Sequence, residues 1–295
     1  MRVLSYGEIL WDIINGVGHL GGAPFNFAAH FAQYGAHATI VSAVGTDKYG
    51  EDAIRIAREY GVDVSLIQTV TGHPTGTVDV RLTSGIPDYT IRENVAYDFI
   101  DYRKFEAEVQ PHGYDIFYFG SLIQRGATSS ATLRKILRDH HFPYVFYDVN
   151  LRKNGYSRSI VVESFKYCNV LKLNIEEVGI LAELLFDESF FTVKDFCDQA
   201  VARFSIKIII VTAAENGCFI YRDGVMIHVP GKKVVLSDAV GAGDAFSASF
   251  MFEFLKHGDI VTAATKANAV GAFVASQQGA IPRYPSEMLA LLYAK

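Results

Sequence analysis

The sequence predicts an α/β fold with a mostly parallel central sheet, helices on both faces and a small additional β-sheet. The first observation is a regular alternation of short apolar runs with helical segments from residue 115 onward. Such runs are typical of strands covered on both faces. The second is that polar and glycine-rich motifs follow the ends of these strands, where α/β proteins bind ligands. The third is the stretch 75–98, whose alternating pattern fits a hairpin with one polar face.

Length and composition are compatible with one domain spanning residues 1–295. Of these 295 residues, 50% are hydrophobic and 20% are charged, and the formal net charge is −5. This charge does not suggest a nucleic-acid or anionic-membrane surface, and no apolar run is long enough to cross a bilayer. Cys168, Cys197 and Cys218 form no CxxC pair, and the N-terminus lacks a signal-peptide layout. We therefore expect a cytoplasmic protein with reduced thiols.

The elements of the first half follow from periodicity and from Gly and Pro positions. A proline at position 24 marks a helix start, and a glycine at position 61 marks a helix end. The predicted elements are a strand Val3–Tyr6, a β-rich piece Ile13–Leu20, a helix Phe25–Tyr34, a strand Ala38–Val44, a helix Asp47–Tyr60, and a hairpin of residues 75–82 and 89–92 around a turn at 85–88.

The second half is predicted to alternate regularly. The predicted strands are Ile116–Phe119, Tyr144–Tyr147, Val170–Leu173, Ile208–Val211 and Cys218–Tyr221. The predicted helices are Ser129–Asp139, Ser159–Phe165, Ile175–Leu185, Val193–Phe204 and Asp244–His257, the last ended by Gly258. Strand–helix–strand order of this kind indicates a parallel sheet.

The stretch 238–246, Asp-Ala-Val-Gly-Ala-Gly-Asp-Ala-Phe, leads from a turn into an apolar helix. The first turn of a helix has unpaired N–H groups and the positive end of the dipole, so Gly241, Ala242 and Gly243 offer an anion site. A carboxylate at this point, Asp244, suits proton removal from a hydroxyl during phosphoryl transfer. The alternative is a tight turn in which Asp244 only caps the helix.

This stretch resembles the C-terminal signature, Asp-x-x-Gly-Ala-Gly-Asp, of the ribokinase-like (PfkB-type) sugar kinases. Residues 21–26 and 44–50 resemble the N-terminal signature of the same family. The resemblance implies a kinase that moves the γ-phosphoryl group of ATP to a hydroxymethyl group of a sugar. It also implies that segments at about 10–20 and 75–98 form a lid over the sugar, which could carry a homodimer contact. The alternative for 75–98 is an ordinary edge hairpin of the main sheet.

The sugar-binding residues implied by the resemblance are Asp12, Gly22 and Asn26. A carboxylate and an amide suit sugar hydroxyls. Without the family, Asp12 reads as a solvated turn residue and Asn26 as a helix cap. Arg152 ends the run 148–152, which resembles the Asp-x-Asn-x-Arg of fructokinases and ketodeoxygluconate kinases, and could hold a phosphoryl or sugar oxygen. Its alternative is a surface ion pair with Asp148.

The nucleotide and metal residues are also implied by the resemblance. Asn174 and Glu177 match the family's Asn-x-x-Glu motif and suit Mg²⁺ held through water; the alternative is a capping-box pair. Thr212 and Gly217 belong to a turn that resembles the nucleotide-phosphate turn Thr-x-Gly-x-x-Gly, with Ala214 in place of the usual Gly. The remaining implied residues are Gly241 and Gly243 at the phosphates, Asn268 at the adenine, and carbonyls near Asp238, Val240, Val274 and Gly279 for K⁺.

The run of motifs is most similar to fructokinases, on residues 7–12, 21–28 and 94–98. Ribokinase and ketodeoxygluconate kinase are the alternatives within the family. A non-catalytic sugar-binding regulator on the same fold is the alternative from another class. Because a carboxylate and an amide hold the sugar without a cluster of cations, we expect a neutral sugar, fructose.

Other site classes are disfavoured. Residues 16–21 match G-x-G-x-x-G, but a dinucleotide site needs this loop directly between the first strand and its helix. The chain contains no P-loop motif, no H-E-x-x-H and no G-x-S-x-G.

Overall fold

The computed structural model describes residues 1–14, 16–83, 86–109, 113–186 and 192–294. The strands in these ranges are β1 (Arg2–Tyr6), β2 (Leu10–Ile14), β3 (Val17–Gly21), β4 (His37–Val44), β5 (Ile67–Thr69), β6 (Gly76–Thr83), β7 (Ile86–Ile91), β8 (Ile116–Gly120), β9 (Tyr144–Asp148), β10 (Val170–Asn174), β11 (Ile208–Thr212), β12 (Cys218–Arg222) and β13 (Val225–Val229). The helices are α1 (Ala23–Gln33), α2 (Lys48–Glu59), α3 (Glu106–Val109), α4 (Ala127–Asp139), α5 (Arg158–Tyr167), α6 (Ile175–Phe186), α7 (Val193–Arg203), α8 (Ala242–His257), α9 (Ile260–Ala275) and α10 (Ser286–Tyr293).

The central sheet confirms the predicted fold class. Its strand order is β13-β12-β11-β10-β9-β8-β1-β4-β5. Every neighbouring pair from β11 to β5 is parallel, whereas β12 pairs antiparallel with both β11 and β13. The parallel strands therefore end at one common edge, where ligands of α/β proteins bind.

The sheet is covered on both faces by apolar helices. Successive residues of β1 point to opposite faces, so Val3 and Leu4 belong to two different hydrophobic clusters. One cluster contains side chains of α4 to α7, and the other contains side chains of α1, α2, α8 and α9. Helix α8 lies deep in the second cluster, which explains why it is apolar nearly all round.

Four strands form a second, smaller sheet in the order β3-β2-β6-β7. Strands β2 and β6 pair parallel, and the two outer pairs are antiparallel. The hairpin of the 75–98 stretch is thus not an edge of the main sheet, and that alternative is wrong. The predicted one-domain organisation with lid segments at about 10–20 and 75–98 stays a prediction.

The turn predicted at 85–88 is wrong for residues 86–88, which pair as β7 with residues 81–83 of β6. Gly85 lies outside the described residues. Pro87 misled the prediction because proline usually marks a turn. A proline is tolerated here because β7 is an edge strand, where a missing N–H breaks no bond of the sheet.

Five elements were not predicted: β5, α3, β13, α9 and α10. Helix α9 is Ala-rich and has buried residues along its length, so its sequence shows little amphipathic contrast. Helix α10 docks on α1, where the hydroxyl of Tyr293 donates to the carbonyl of Tyr34. Within the described ranges, no helix combines the length and apolarity needed to cross a membrane.

Candidate active site

The turn before α8 is shaped by its first glycine. Gly241 has φ +79°, and a Cβ there would lie 2.4 Å from the carbonyl oxygen of Ala280. A side chain at this position is therefore disfavoured by the left-handed backbone conformation and also by a steric clash. The N–H groups of Gly243 and Asp244 find no acceptor in the described part of the chain. Two unpaired donors at a helix N-terminus fit an anionic oxygen.

The carboxylate of Asp244 lies in the first turn of α8. Its Oδ2 accepts a hydrogen bond of 2.8 Å from Nδ2 of Asn26. Burial, with the nearby charge of Asp148, raises the pKa of Asp244 to about 7, although Asn26 and Lys172 act in the opposite direction. A carboxyl group that titrates near neutrality is suited to accept a proton at physiological pH.

Helix α1 holds two parts of this centre. Asn26 in its first turn contacts Asp244, and His30 lies one turn later, with Nε2 3.1 Å from the carbonyl oxygen of Ala280. Because a carbonyl only accepts, Nε2 carries the hydrogen, and the hydroxyl of Tyr284 donates to Nδ1 over 2.7 Å. Burial lowers the pKa of His30 to about 3, so the ring is neutral. His30 thus fixes the segment that packs against Gly241.

Asp12 and Asn26 converge at Gly21. A Cβ on Gly21 would lie 3.0 Å from Oδ2 of Asp12 and 4.0 Å from Oδ1 of Asn26. Asp12 belongs to β2, and burial raises its pKa to about 6, so it is not a solvated turn residue. Gly22, with φ +108°, is the N-cap of α1, so Asn26 is not the cap. Asp12 as a solvated turn residue and Asn26 as a helix cap are thus wrong, and the sugar-binding roles of both side chains stay predictions.

Arg152 lies in the loop after β9 and is exposed. Its guanidinium lowers the pKa of both Asp12 and Asp244, which places its charge beside the two carboxylates. The surface ion pair with Asp148 is wrong, because Asp148 is fully buried and its carboxylate binds Nζ of Lys172 at 3.0 and 3.2 Å.

Lys172 is a site residue that the sequence interpretation missed. Its ammonium lies 3.2 Å from the position of a Cβ on Gly243, directly beneath the start of α8. The charge of Asp148 raises the pKa of Lys172 against the effect of burial, so the group is charged. The available signal was a lysine inside an otherwise apolar strand, which needs a buried anion as partner.

Glu8 was also missed, although it follows the end of β1, where ligands are expected. It is buried, with 3% of its surface exposed, and its Oε2 has no hydrogen-bond partner in the described part of the chain. Burial and the charge of Asp244 raise the pKa of Glu8 to about 7, while Arg152 and Arg125 lower it.

A cleft of about 720 Å³ opens next to the start of α8. It brings together most of the residues expected at the nucleotide, and its lining includes Asn174, Thr212, Gly217, Gly243 and Asn268. A Cβ on Gly217 would lie 2.1 Å from the carbonyl oxygen of Val229, so this turn needs glycine. Arg152 and Glu177 do not line the cleft.

Ala214 has φ +48°, in the left-handed region that normally requires glycine. This explains why the related motif has Gly at that position. The turn nevertheless closes, with the N–H of Gly217 donating to the carbonyl of Ala214 over 3.0 Å. The substitution thus leaves the loop intact at the cost of local strain.

Asn174 and Glu177 form a reciprocal capping box at the start of α6. The N–H of Asn174 donates to Oε2 of Glu177 over 2.8 Å, and the N–H of Glu177 donates to Oδ1 of Asn174 over 2.9 Å. The other oxygen of Glu177 accepts the N–H of Leu151 at 2.7 Å. In the described ranges no three acidic, His or Cys side chains form a metal-binding group. This geometry fits a metal that arrives with phosphates rather than a resident ion.

Asn268 and Asp238 are both engaged with backbone. Nδ2 of Asn268 donates to the carbonyls of Val229 and Pro230, each at 3.1 Å, and so fixes the strand end beside the cleft. The carboxylate of Asp238 accepts from the N–H groups of Val240, at 3.0 Å, and Gly279, at 3.2 Å.

The carbonyl of Val274 accepts from the N–H of Gln277 at the end of α9. Of the residues expected near K⁺, Val240 and Gly279 are both hydrogen-bonded to Asp238, whereas the carbonyl of Val274 already accepts a hydrogen bond. The adenine contact and the K⁺ site stay predictions.

Comparison with known proteins agrees with this geometry. The family model described as pfkB family carbohydrate kinase matches residues 5–287. Fructokinase-1 of Oryza sativa subsp. japonica is 27% identical over 314 residues, covering 97% of this chain and 95% of that protein.

Two solved structures are similar over nearly the whole chain. A fructokinase from Xylella fastidiosa with bound ATP has a TM-score of 0.88 and 25% identity, covering 99% of this chain and 98% of that one. A sugar kinase from Pyrococcus horikoshii in complex with ATP has a TM-score of 0.82 and 25% identity, covering 98% and 97%. The family match extends from the end of β1 to α10, so the chain belongs to the pfkB family of carbohydrate kinases, phosphotransferases that act on a sugar hydroxyl.

Proposed function

We propose that this enzyme is an ATP-dependent fructokinase that phosphorylates a hydroxymethyl group of fructose. The observation that carries the proposal is the Asn26–Asp244 hydrogen bond at the start of α8. It joins the residue expected to hold the sugar to the carboxylate expected to take its proton. A sugar held at Asn26 and Asp12 therefore has its reacting hydroxyl beside Asp244.

The choice of a neutral sugar is supported by the charges around this point. Asp12, Glu8 and Asp244 contribute acidic groups, while Lys172 is paired with Asp148 and Arg125 with Asp98. Among the described lysines and arginines that act on these carboxylates, Arg152 is the one without an ion-pair partner, and His19 faces Asp12 across β2 and β3. A sugar acid or sugar phosphate would meet more negative than positive charge, whereas a neutral polyol offers donors that carboxylates accept. The similarity to fructokinases supports fructose among neutral sugars.

The proposed roles follow from the geometry. Asp244 accepts the hydroxyl proton, and the N–H groups of Gly243 and Asp244 hold the charge that develops on the transferred oxygens. The ammonium of Lys172 lies beneath the same turn and adds a positive charge there. Gly241 keeps the turn closed on Ala280.

ATP is proposed to lie in the 720 Å³ cleft, with its phosphates toward α8 and Thr212. The ATP-bound relatives support ATP as the nucleotide. A divalent ion, which we propose is Mg²⁺, would neutralise phosphate charge when bound. Asn174, which lines the cleft, would hold it through water, and Glu177 would keep Asn174 in place through the capping box. A K⁺ ion near Asp238 and a homodimer formed through the small sheet belong to the same proposal.

A coupled assay of ADP release over a sugar panel tests the proposal. The panel contains fructose, ribose, 2-keto-3-deoxygluconate and fructose 6-phosphate, each with ATP and Mg²⁺. We expect the highest kcat/KM for fructose. A higher kcat/KM for the sugar acid or the sugar phosphate overturns the substrate, and no turnover of any sugar favours a non-catalytic binding protein.

A further inference from the structure

We infer that Glu8 and Tyr97 form a second hydroxyl-binding subsite, which recognises a sugar hydroxyl other than the one that reacts. The inference rests on the proposed function in that the ligand is a polyol bound beside Asp244. It assigns binding roles to two residues that lie outside the Asp12–Asn26 pair.

The position of Glu8 is fixed by backbone packing rather than by bonds to its carboxylate. A Cβ on Gly7 would lie 2.4 Å from Cγ of Pro24, and a Cβ on Gly22 would lie 2.5 Å from the carbonyl oxygen of Glu8. The chain after β1 is therefore pressed against the start of α1. The side chain of Glu8 follows this packing, because its Cγ is 3.3 Å from the same Cβ position on Gly22.

The carboxylate of Glu8 lacks the partners that comparable groups have. The other buried acids in the described ranges bind cations or backbone N–H groups: Asp98 binds Arg125, Asp148 binds Lys172, Glu177 binds two N–H groups and Glu253 binds Lys266. The backbone N–H of Glu8 itself acts on this carboxylate, but Oε2 has no hydrogen-bond partner among the described residues. A buried carboxylate oxygen without a donor is costly, and such an atom in a native protein is expected to have a ligand or water as partner.

Tyr97 supplies a second unpartnered group in the same region. Its hydroxyl is buried and has no hydrogen-bond partner among the described residues. Gly76, whose Cβ position lies against the Tyr97 ring, pairs with Leu10, two residues after Glu8, so the two groups lie at the same end of the small sheet. The ring is held by Arg125, whose guanidinium lies 5.0 Å from its centroid, and by Gly76, where a Cβ would lie 2.4 Å from the ring.

The two groups are chemically complementary to one alcohol. An alcohol can donate to the carboxylate of Glu8 and accept from the hydroxyl of Tyr97. The same ligand would lie beside Asp244, because Glu8 packs against Gly22, the N-cap of the helix whose Asn26 binds Asp244. Both groups then gain a partner of matching chemistry when a polyol is bound, which makes them determinants of specificity.

Glu8→Gln and Tyr97→Phe test the inference in the full-length enzyme, with Glu253→Gln as the matched buried-acid control at the far end of α8. The sugar is whichever member of the panel the wild-type enzyme phosphorylates best, so failure of the fructose assignment does not affect the test. We expect Glu8→Gln to raise the sugar KM roughly 10-fold or more, the loss typical of a hydrogen bond to a charged group. Tyr97→Phe should raise it several-fold, and the ATP KM should stay within twofold in both variants.

Monodeoxy analogues of that sugar identify the hydroxyl. Removing one particular hydroxyl should weaken sugar binding to the wild-type enzyme. The same removal should weaken binding to Glu8→Gln much less, because that variant has already lost the contact with this hydroxyl. Glu8→Gln should also raise the melting temperature of the ligand-free enzyme, since it removes a buried charge.

The inference is overturned by a sugar KM that stays unchanged in Glu8→Gln, by fully additive effects for every deoxy analogue, or by an equal rise of the KM for ATP. A fall in kcat with an unchanged sugar KM also overturns it, since that result would assign Glu8 to the chemistry of Asp244 instead.

Discussion

The amide of Asn26 donates to the carboxylate of Asp244 across 2.8 Å, although 218 positions separate the two residues. This bond connects α1 to α8 at the point where both helices begin. The amide leaves the second oxygen of Asp244 free to accept a proton. It also keeps the carboxylate oriented toward the first turn of α1, where we propose that the sugar binds.

Replacing Asp244 with Asn should reduce kcat by ~10²-fold or more, because the amide is nearly isosteric but cannot accept the proton. The fold and the KM for ATP should be unchanged. Steady-state kinetics with thermal melting measures both. If the variant keeps more than about a tenth of the activity, Asp244 is not the base.

The pH profile of kcat/KM should rise through neutral pH, because the pKa values of Asp244 and Glu8 are raised to about 7 and that of Asp12 to about 6. The proton on Asp244 must leave before the group can act as a base, so kcat/KM for the sugar increases with pH and reaches half its plateau near pH 7. The charge of Asp148 raises this pKa, so Asp148→Asn should move the midpoint to lower pH. An unchanged midpoint in that variant would show that the profile reports another group.

Two alanine substitutions in the same turn should behave differently. Gly241→Ala places a Cβ 2.4 Å from a backbone oxygen in a left-handed conformation, so both stability and activity should fall. Gly243→Ala places its Cβ 3.2 Å from Nζ of Lys172, a side-chain atom rather than backbone, so the melting temperature should fall less than in Gly241→Ala. Its kcat should still fall, because the methyl group enters the anion site. Normal turnover in Gly243→Ala would show that this residue does not face the phosphoryl group.

Ala214→Gly should relieve strain in the nucleotide turn. Alanine in the left-handed region costs ~1 kcal/mol, partly offset by the greater freedom of glycine in the unfolded chain. We expect an equal or higher melting temperature and a lower KM for ATP. Ala213→Gly is the control: its φ of −133° suits alanine, so the same change should destabilise by ~0.5–1 kcal/mol. Equal destabilisation by both variants would contradict the strained conformation.

Asp12→Ala should raise the KM for the sugar roughly 10-fold, because hydrogen bonds to a charged group are lost, and should leave the KM for ATP unchanged. Asp79→Ala is the matched control. Asp79 pairs with Ile13, the residue next to Asp12, and therefore lies on the opposite face of the small sheet. A sugar KM that is equal in the wild type and in Asp12→Ala would remove Asp12 from the sugar site.

The sequence was sufficient where local chemistry leaves few choices. The α/β alternation predicted the parallel sheet because buried strands need continuous apolar runs. The glycines before α8 predicted a turn because glycine adopts backbone conformations that other residues avoid. The structure agrees, since Gly241 has a positive φ and no space for a Cβ. Strand ends predicted where Asn174, Thr212 and Arg152 would lie, since parallel strands share one edge.

The sequence was insufficient where the role of a side chain depends on which group it hydrogen-bonds to in the folded protein. The carboxylate of Glu177 could be assigned to a metal or to a helix cap, and only the coordinates show both oxygens bound to N–H groups. Asn268 was expected at the adenine, but its amide nitrogen holds two carbonyls. Glu8 was passed over because an unpaired carboxylate is recognisable only when its surroundings are known.

The contact between Gly241 and Ala280 has a consequence for the order in which the enzyme becomes active during its synthesis. A nascent chain that ends after α8 already contains Asp12, Asn26 and Asp244, yet it lacks the segment that holds the turn, together with the His30 and Tyr284 bonds that fix this segment. The N-terminal part can begin to fold on the ribosome before that segment emerges. Phosphoryl transfer should therefore begin only after the chain has passed residue 284, and a product released earlier should consume neither sugar nor ATP.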